Sequence, residues 1–323
     1  MSVNDLRARV SRDLGSSHGT SREKRHPGKR RIVIPLKTAV KLATMKAFCL
    51  FGGMSRVPRY PILLYHSVEA GEDLYSTHPR LFREQMSWLR GRGYRVSSLE
   101  PLCDYLRTGV PIQPGTVFLT FDDGLRNNYE HVFPVLREHA FTATVFLTTS
   151  RVGKTADWYP PDSDGLLPAF PMLSWDQIRE MAAGGIDFQP HGHTHAHLTR
   201  LGPEAAKEEI RASRQTLEER LQRAASLFAY PYGEHDLTLR SVVQESAFLG
   251  AVSTRVGRLC LGDDPFAMPR MDCDRVFLSG RPEALLLMEL CMTGGLSPFV
   301  RFKACLAGAG LADRRFGTST DRG

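Results

Sequence analysis

Short apolar runs alternate with amphipathic helical segments through the middle of this chain, and this alternation constrains its fold more than any other feature. PILLYHSV (61–68), TVFLTFDDG (116–124) and FTATVFLTTS (141–150) each contain an apolar run of strand length, with helical patterns between them. Strands that are apolar on both faces are typical of a parallel sheet covered by helices. We therefore expect an α/β fold, a distorted (β/α) barrel of about seven strands, with a doubly wound open sheet as the alternative.

The patterning divides the 323 residues into four parts. Residues 1–31 are polar and basic, which predicts a disordered tail. Residues 32–58 predict an amphipathic or linker segment, and residues 59–282 predict the globular domain. Residues 283–323 predict a C-terminal extension that is partly disordered. Its apolar stretch, broken by glycine and proline, predicts either a last helix that packs on the barrel or a surface-seeking appendage, and the tail after Ala312 is expected to be disordered.

The net positive charge of the chain comes from its N-terminal region. Residues 1–46 contain 12 Lys and Arg against 3 Asp and Glu, a formal charge of +9. Because the whole chain carries +7, the remainder carries −2. A nucleic-acid-binding domain should present its own basic face, so we expect no nucleic acid partner.

The N-terminal region shows neither a clear signal peptide nor a membrane span. Charged residues interrupt its apolar stretches: Arg7, Arg9, Arg12 and Asp13 near the start, then Lys37, Lys41 and Lys46 within 32–54. Six cysteines without a C-x-x-C pair favour a reducing compartment. We expect a cytoplasmic protein with peripheral membrane contact through residues 1–55, or a helix at 32–54 that covers the globular domain instead.

Two adjacent carboxylates follow one of the apolar strands. Asp122 and Asp123 in TFDDG come directly after the run 116–121. In barrels the carboxyl ends of the strands form the active-site edge, and buried carboxylates are costly unless a partner compensates them. An Asp-Asp-Gly turn without a function is the alternative.

A histidine cluster follows another short strand pattern. Four histidines alternate with small residues in FQPHGHTHAHL (188–198): His191, His193, His195 and His197. Imidazoles together with a carboxylate are suited to Zn²⁺ or a related divalent ion. In a straight strand, two histidines four residues apart would lie ~13 Å from each other. A shared ion therefore requires the backbone to curl, which Pro190 and Gly192 allow; a polar strand or a nonspecific metal-binding tract is the alternative.

Three motifs in this order resemble those of the polysaccharide deacetylases of carbohydrate esterase family four: TFDDG (120–124), H-x-x-x-H-x-x-L (191–198) and FAYPYG (228–233). The resemblance covers roughly residues 60–275 and makes 59–282 the expected catalytic domain. It implies a hydrolase that removes N-acetyl groups from N-acetylglucosamine-containing saccharides, such as chitooligosaccharides or an exopolysaccharide, with a divalent metal, Zn²⁺ first, as cofactor. The alternatives are an inactive carbohydrate-binding relative and a membrane-surface accessory protein of polysaccharide synthesis.

The resemblance also implies roles for individual residues. The family's spacing, H-x-x-x-H-x-x-L, favours His191 and His195 as metal ligands beside Asp123. In the competing alignment of this motif, the frame is shifted by two residues and the ligands are His193 and His197. Asp122 would be the general base that takes a proton from the metal-bound water. The backbone N–H of Tyr232 would donate to the developing oxyanion.

Two positions depart from the family pattern. The general acid of the family is a histidine in a late Leu-x-His motif, but no histidine follows His235 here. The early Leu64-Tyr65-His66 indicates a circular permutation with His66 as the acid, as in deacetylases of poly-N-acetylglucosamine; a strand-end histidine bonded to the backbone is the alternative. Ala229 replaces a customary arginine, and Arg270 is expected to take over by pairing with Asp122, unless it is a surface charge.

Three aromatic residues are expected in loops that rim the barrel mouth: Trp158, Tyr159 and Trp175. Aromatic faces are suited to stacking against sugars, although Trp175 follows an N-cap and can belong to the core instead.

Overall fold

The computed structural model describes residues 59–70, 76–159 and 170–276, together with Leu285, Met288, Glu289 and Met292. The tail predicted for 1–31, the segment predicted for 32–58 and most of the extension predicted for 283–323 lie outside the described residues. Within the described ranges, no helix combines the length and the apolar character that a bilayer crossing requires.

The main sheet is parallel throughout. Its strands are β1 (Ile62–Tyr65), β2 (Arg95–Ser97), β3 (Thr116–Phe121), β4 (Thr144–Leu147), β5 (Asp187–Pro190), β6 (Leu227–Ala229), β7 (Gly250–Val256) and β8 (Met268–Asp272). Seven of them run in the order β5–β4–β3–β1–β8–β7–β6, and β2 pairs with the first half of β3. The first strand of the barrel therefore lies between its last strand and the strand of the TFDDG motif.

The two ends of this sheet approach each other at β5 and β6. Gln189 of β5 accepts hydrogen bonds through Oε1 from the backbone N–H groups of Ser226 and Leu227, each at 3.0 Å. A side-chain amide thus replaces the missing strand ladder at this seam. The sheet is a nearly closed barrel, which confirms the predicted fold and excludes the open doubly wound sheet.

Helices cover the outside of the barrel. They are α1 (Pro79–Gly91), α2 (Glu100–Thr108), α3 (Phe133–His139), α4 (Trp175–Ala183), α5 (Pro203–Leu221), α6 (Leu237–Glu245) and the short α7 (Cys273–Val276). A π-helical turn at Asn128–Val132 leads into α3. At α4, Ser174 and Gln177 form a capping box, in which each side chain accepts from the other residue's backbone N–H.

Strand side chains alternate between the interior of the barrel and the layer beneath the helices. Phe118 of β3 and Phe146 of β4 lie in the inner cluster, while Val117 and Val145 join the outer one. Both faces are apolar, which is why the strands read as continuous apolar runs. Arg270 of β8 is a charged exception within the barrel, with no exposed surface.

Three pairs of two-residue strands complete the described fold: Arg59–Tyr60 with Leu259–Cys260, Ser67–Val68 with Ser76–Thr77, and Thr155–Ala156 with Phe170–Pro171. The last pair anchors the segment that carries Trp158 and Tyr159. A small apolar cluster supports it: Leu125, Ala156, Tyr159, Phe170 and Met172.

Candidate active site

Polar residues follow the carboxyl ends of neighbouring strands of the barrel. His66 follows β1, the Asp122–Asp123 pair follows β3, His191 follows β5, and Asp274 follows β8. Because the strands are parallel, these ends meet at one edge, where barrel active sites lie. The topology thus brings together residues that are far apart in the sequence.

Asp123, His191 and His195 form a compact buried cluster at this edge. Asp123 Oδ1 lies 3.5 Å from His191 Nε2 and 3.2 Å from His195 Nε2. One ligand atom from each of the three residues lies within 4.8 Å of the others. The backbone makes the required curl, since Gly192 and His195 have φ values of 73° and 65°.

A neighbouring helix and a neighbouring loop hold the curled histidine segment in place. Glu209 of α5 accepts hydrogen bonds through Oε2 from the backbone N–H groups of His193 and Thr194, at 3.1 and 2.9 Å. The backbone N–H of Thr149, after β4, donates to the carbonyl of Gly192 at 3.3 Å. Glu209 was not anticipated from the sequence, because a glutamate on an amphipathic helix is indistinguishable from a solvated surface charge.

The donor set of this cluster fits a divalent metal ion. The Nδ1–H of His191 donates to the carbonyl of Ala229 at 2.9 Å, so the lone pair of Nε2 faces Asp123. Burial lowers the pKa of His191 to about 4, which keeps its imidazole in the neutral form that ligates metals. Asp123 Oδ1 is buried and accepts no hydrogen bond from the described residues. Two imidazoles and one carboxylate are an established zinc ligand set.

Asp122 forms a two-pronged ion pair with Arg270. Arg270 Nη1 and Nη2 donate to the two carboxylate oxygens at 2.7 and 2.6 Å, and Nε donates to the carbonyl of Ser253 at 2.9 Å. Burial by itself would raise the pKa of Asp122, but the charge and hydrogen bonds of Arg270, with contributions from the neighbouring histidines, lower that pKa. Asp122 is therefore an ionised carboxylate.

His66 is held by Asp274, which the sequence reasoning missed. Asp274 Oδ2 accepts from the His66 ring at Nδ1 (2.9 Å) and from the His66 backbone N–H (2.7 Å), and Thr77 Oγ1 donates to Oδ1 at 2.8 Å. Burial would lower the pKa of His66, but the hydrogen bond and charge of Asp274, together with the charges of the Asp122–Asp123 pair, raise that pKa to about 9. The imidazole is thus cationic at neutral pH. Asp274 comes shortly after the end of β8, as Asp122 comes after the end of β3. This position at a strand end is the sequence feature from which Asp274 could have been predicted.

The two remaining histidines of the cluster point to other partners. His193 Nδ1 lies 3.0 Å from Thr149 Oγ1, and His197 Nδ1 lies 3.0 Å from Glu234 Oε2. Neither belongs to the group of converging metal-ligand atoms. The geometry thus favours the frame with His191 and His195 over the competing one.

Tyr232 lies beside the metal-ligand cluster. Its backbone adopts φ 60°, its ring stacks on His197 at a centroid distance of 3.7 Å, and its edge meets His195 at 4.6 Å. Strained backbone of this kind is frequent at functional sites. The role of its backbone N–H at the oxyanion stays a prediction.

The aromatic residues expected at the rim occupy different places. Tyr159 is buried, and its hydroxyl donates to Asp123 Oδ2. Trp158 stacks on His195, with the ring centroids 4.2 Å apart. Trp175 packs against the outer core cluster, with Arg220 over its ring. The first two therefore lie against the candidate metal site, and Trp175 is a partly buried residue that packs on the core.

The fold and the site together define a class of protein. Residues 110–250 match the family model described as polysaccharide deacetylase. This segment of the chain is therefore similar to polysaccharide deacetylase domains, as the resemblance in the three sequence motifs implied.

Two relatives with a named activity match parts of this chain. The poly-beta-1,6-N-acetyl-D-glucosamine N-deacetylase of Escherichia coli (strain K12) is 34% identical over 121 residues, which cover 36% of this chain and 18% of that protein. The enzyme of the same name from Staphylococcus epidermidis is 27% identical over 169 residues, 49% of this chain and 54% of that protein. This chain thus spans about half the length of one of these relatives and less than a fifth of the other.

A solved structure shows the same barrel. IcaB from Ammonifex degensii superposes with a TM-score of 0.62 at 25% sequence identity, covering 73% of this chain and 97% of IcaB. The similarity extends over most of this chain and supports the same fold.

Proposed function

We propose that this protein is a metal-dependent hydrolase that removes N-acetyl groups from an N-acetylglucosamine-containing oligosaccharide or polysaccharide. One observation carries the proposal: an ionised carboxylate, a cationic imidazole and a buried metal-ligand set follow the strands at one edge of the barrel. Two named relatives act on poly-β-1,6-N-acetyl-D-glucosamine, which supports the substrate class.

Asp123, His191 and His195 would hold the metal. When bound, a divalent ion supplies Lewis acidity and lowers the pKa of a coordinated water. Trp158 packs over His195 and excludes solvent from that side of the ligand set. The chain's contribution is a fixed set of donors with one carboxylate and two neutral imidazoles.

Asp122 would act as the general base. It takes a proton from the water that attacks the acetyl carbonyl, and Arg270 keeps the carboxylate ionised and fixed in orientation. As the new carbon–oxygen bond forms, the carbonyl oxygen gains negative charge, which the backbone N–H of Tyr232 would stabilise. Arg270 acts only through Asp122 and is therefore a positioning residue.

His66 would act as the general acid. The amide carbon–nitrogen bond breaks as Nε2–H of the imidazolium protonates the leaving amine, so the products are acetate and a free amino sugar. Asp274 holds Nδ1–H, so Nε2–H is the proton that His66 would deliver. A cationic imidazole at neutral pH is the form that this step requires.

Acetate release from defined N-acetylglucosamine oligomers tests the proposal. The wild-type protein should release acetate from β-1,6- or β-1,4-linked oligomers, lose that activity with a chelator and regain it with Zn²⁺. Asp122→Asn should lower kcat by ~10²-fold or more, while Glu84→Gln on the exposed face of α1 should not change it. Equal rates for wild type and Asp122→Asn, or no release from either linkage, would contradict the proposal.

A further inference from the structure

We propose that Trp158 and Tyr159 are positioning residues that fix the orientation of two of the three metal ligands, Asp123 and His195. This inference rests on the metal site of the proposed function and extends it to two neighbouring residues outside the ligand set. Tyr159 contacts Asp123 through a hydrogen bond, and Trp158 contacts His195 through ring stacking.

Tyr159 controls the carboxylate of Asp123. Its hydroxyl donates to Oδ2, whereas Oδ1 faces His191 and His195. A carboxylate can otherwise rotate and exchange its two oxygens, because terminal torsions of this kind are broad. With Oδ2 engaged, Oδ1 is the oxygen left for the metal.

His195 lacks the support that metal-ligating histidines usually have. Such histidines donate their second ring N–H to a carboxylate, a carbonyl or a water, as His191 does to Ala229. The Nδ1 atom of His195 is buried and has no hydrogen-bond partner among the described residues. Something other than a hydrogen bond must therefore set the orientation of its ring.

Aromatic packing supplies that orientation. The rings of Trp158 and His195 are nearly parallel, 15° apart, with centroids separated by 4.2 Å. On another side, Tyr232 approaches the same imidazole at 67° and 4.6 Å. The ring is thus held between a stacked indole and the edge-to-face contact of a phenol, both favourable geometries for aromatic pairs.

The segment that carries the two residues is anchored independently of any substrate. Thr155–Ala156 pairs with Phe170–Pro171, and the rings of Tyr159 and Phe170 lie 4.4 Å apart. An isolated bridge joins Leu125, directly after the TFDDG motif, to Met172. The position of the aromatic pair is therefore tied to the strand that supplies Asp123.

Zn²⁺ affinity of the full-length protein tests the inference. It can be measured by competition with a chromophoric chelator after metal removal. Tyr159→Phe deletes one hydroxyl and Trp158→Leu deletes the stack, so each should weaken Zn²⁺ binding by roughly 10–100-fold, the usual effect of losing support for a ligand. Trp158→Phe retains a ring and should recover part of the affinity.

Matched controls separate this effect from a general loss of structure. Tyr129→Phe removes a hydroxyl that donates to Glu180 on the surface, and Trp88→Leu removes an indole stacked on Tyr94. Both should leave Zn²⁺ affinity unchanged. Metal-free Tyr159→Phe should still unfold in a single cooperative transition, so that the loss of Zn²⁺ affinity is measured on a folded protein.

The two proposals can fail separately. Wild-type Zn²⁺ affinity in both Tyr159→Phe and Trp158→Leu, with a raised KM for the saccharide, would overturn the inference and make the pair a substrate contact. Zn²⁺ binding that Asp123→Asn fails to abolish would overturn it as well. Tight Zn²⁺ binding that depends on Asp123 and on both aromatics, without acetate release, would refute the deacetylase and support the positioning role.

Discussion

Arg270 and Asp122 form an ion pair that is buried inside the barrel, with side-chain exposures of 0% and 2%. Its donors are nearly all satisfied, because Arg270 also donates to Thr120 Oγ1 and to the carbonyl of Ser253. A buried pair of this kind offsets its desolvation cost only when the geometry is good and the remaining donors have partners. Its value here is to keep one carboxylate ionised in an apolar interior.

Removing the arginine should destabilise the protein strongly. Arg270→Met leaves Asp122 buried without a counter-charge, so the free energy of unfolding should fall by about 3–5 kcal/mol. Urea denaturation at neutral pH measures this change.

Two further variants check the cause. The double variant Asp122→Asn/Arg270→Met removes both charges and should be more stable than Arg270→Met alone. Arg107→Met breaks a surface pair with Asp104, where the side chains are 75% and 68% exposed, and should have little effect. Equal losses for Arg270→Met and Arg107→Met would contradict the buried-pair argument.

The ion pair between His66 and Asp274 should make stability depend on pH. The pKa of His66 rises from 6.5 to about 9 on folding, so the folded state binds the proton more tightly. This contribution is complete below pH 6.5 and is lost as pH rises through about 9. In the metal-free protein, wild type should lose more unfolding free energy over this range than His66→Asn does. Parallel curves for the two proteins would contradict the prediction.

The same pair should set the alkaline limit of catalysis. If His66 is the general acid, kcat should fall as pH rises through the pKa of the imidazolium in the enzyme–substrate complex. Asp274→Asn removes the charge that raises this pKa, so the alkaline limb of the profile should move to lower pH. A merely structural role for Asp274 would lower activity at every pH without moving the limb.

The barrel could be predicted from the sequence because its strands are buried on both faces. Largely apolar runs such as Val117–Phe121, with one threonine, are distinguishable from helical periodicity, and this run is followed directly by Asp122 and Asp123. The chemical types of the site residues were therefore visible in the sequence. Their pairing was visible only where the family resemblance relates them, as for Arg270 with Asp122.

Other features of the site depend on contacts that spacing does not encode. Alternation alone does not distinguish His191 with His195 from the other histidine pair, and only the family spacing favoured one of them. In the structure, left-handed backbone at His195 accompanies the convergence of His191 and His195 on Asp123. Asp274 meets His66 across 208 residues, which no local pattern relates. The burial of Tyr159 results from a two-residue strand pair too short to recognise.

Gly233, the last residue of FAYPYG, should tolerate no side chain. Its φ is +70°, and a Cβ atom there would lie 2.7 Å from Thr254 Cβ on β7. Gly233→Ala therefore combines left-handed strain with a clash against an atom fixed by the backbone. We expect a loss of at least ~2 kcal/mol in unfolding free energy, together with lower activity as Tyr232 shifts.

Gly153 provides the matched control for this substitution. Its φ is +76°, but a Cβ atom there would meet nothing within 4 Å. Gly153→Ala therefore introduces backbone strain without a clash. The difference in unfolding free energy between the two variants, measured with denaturant, then gives the cost of the clash at Gly233. Equal losses would show that Thr254 moves aside freely.

The seam of the barrel depends on Gln189. Its Oε1 accepts from the N–H groups of Ser226 and Leu227, and its Nε2 donates to Asp187. Gln189→Leu has a similar size but leaves two backbone donors at the seam without their acceptor, and each unsatisfied buried group costs about 1–3 kcal/mol. Unfolding free energy should fall by at least ~2 kcal/mol. Hydrogen exchange should accelerate first at Ser226 and Leu227, because the seam opens locally. Gln215→Leu on the exposed face of α5 is the control, and the seam argument fails if the two variants exchange alike at β6.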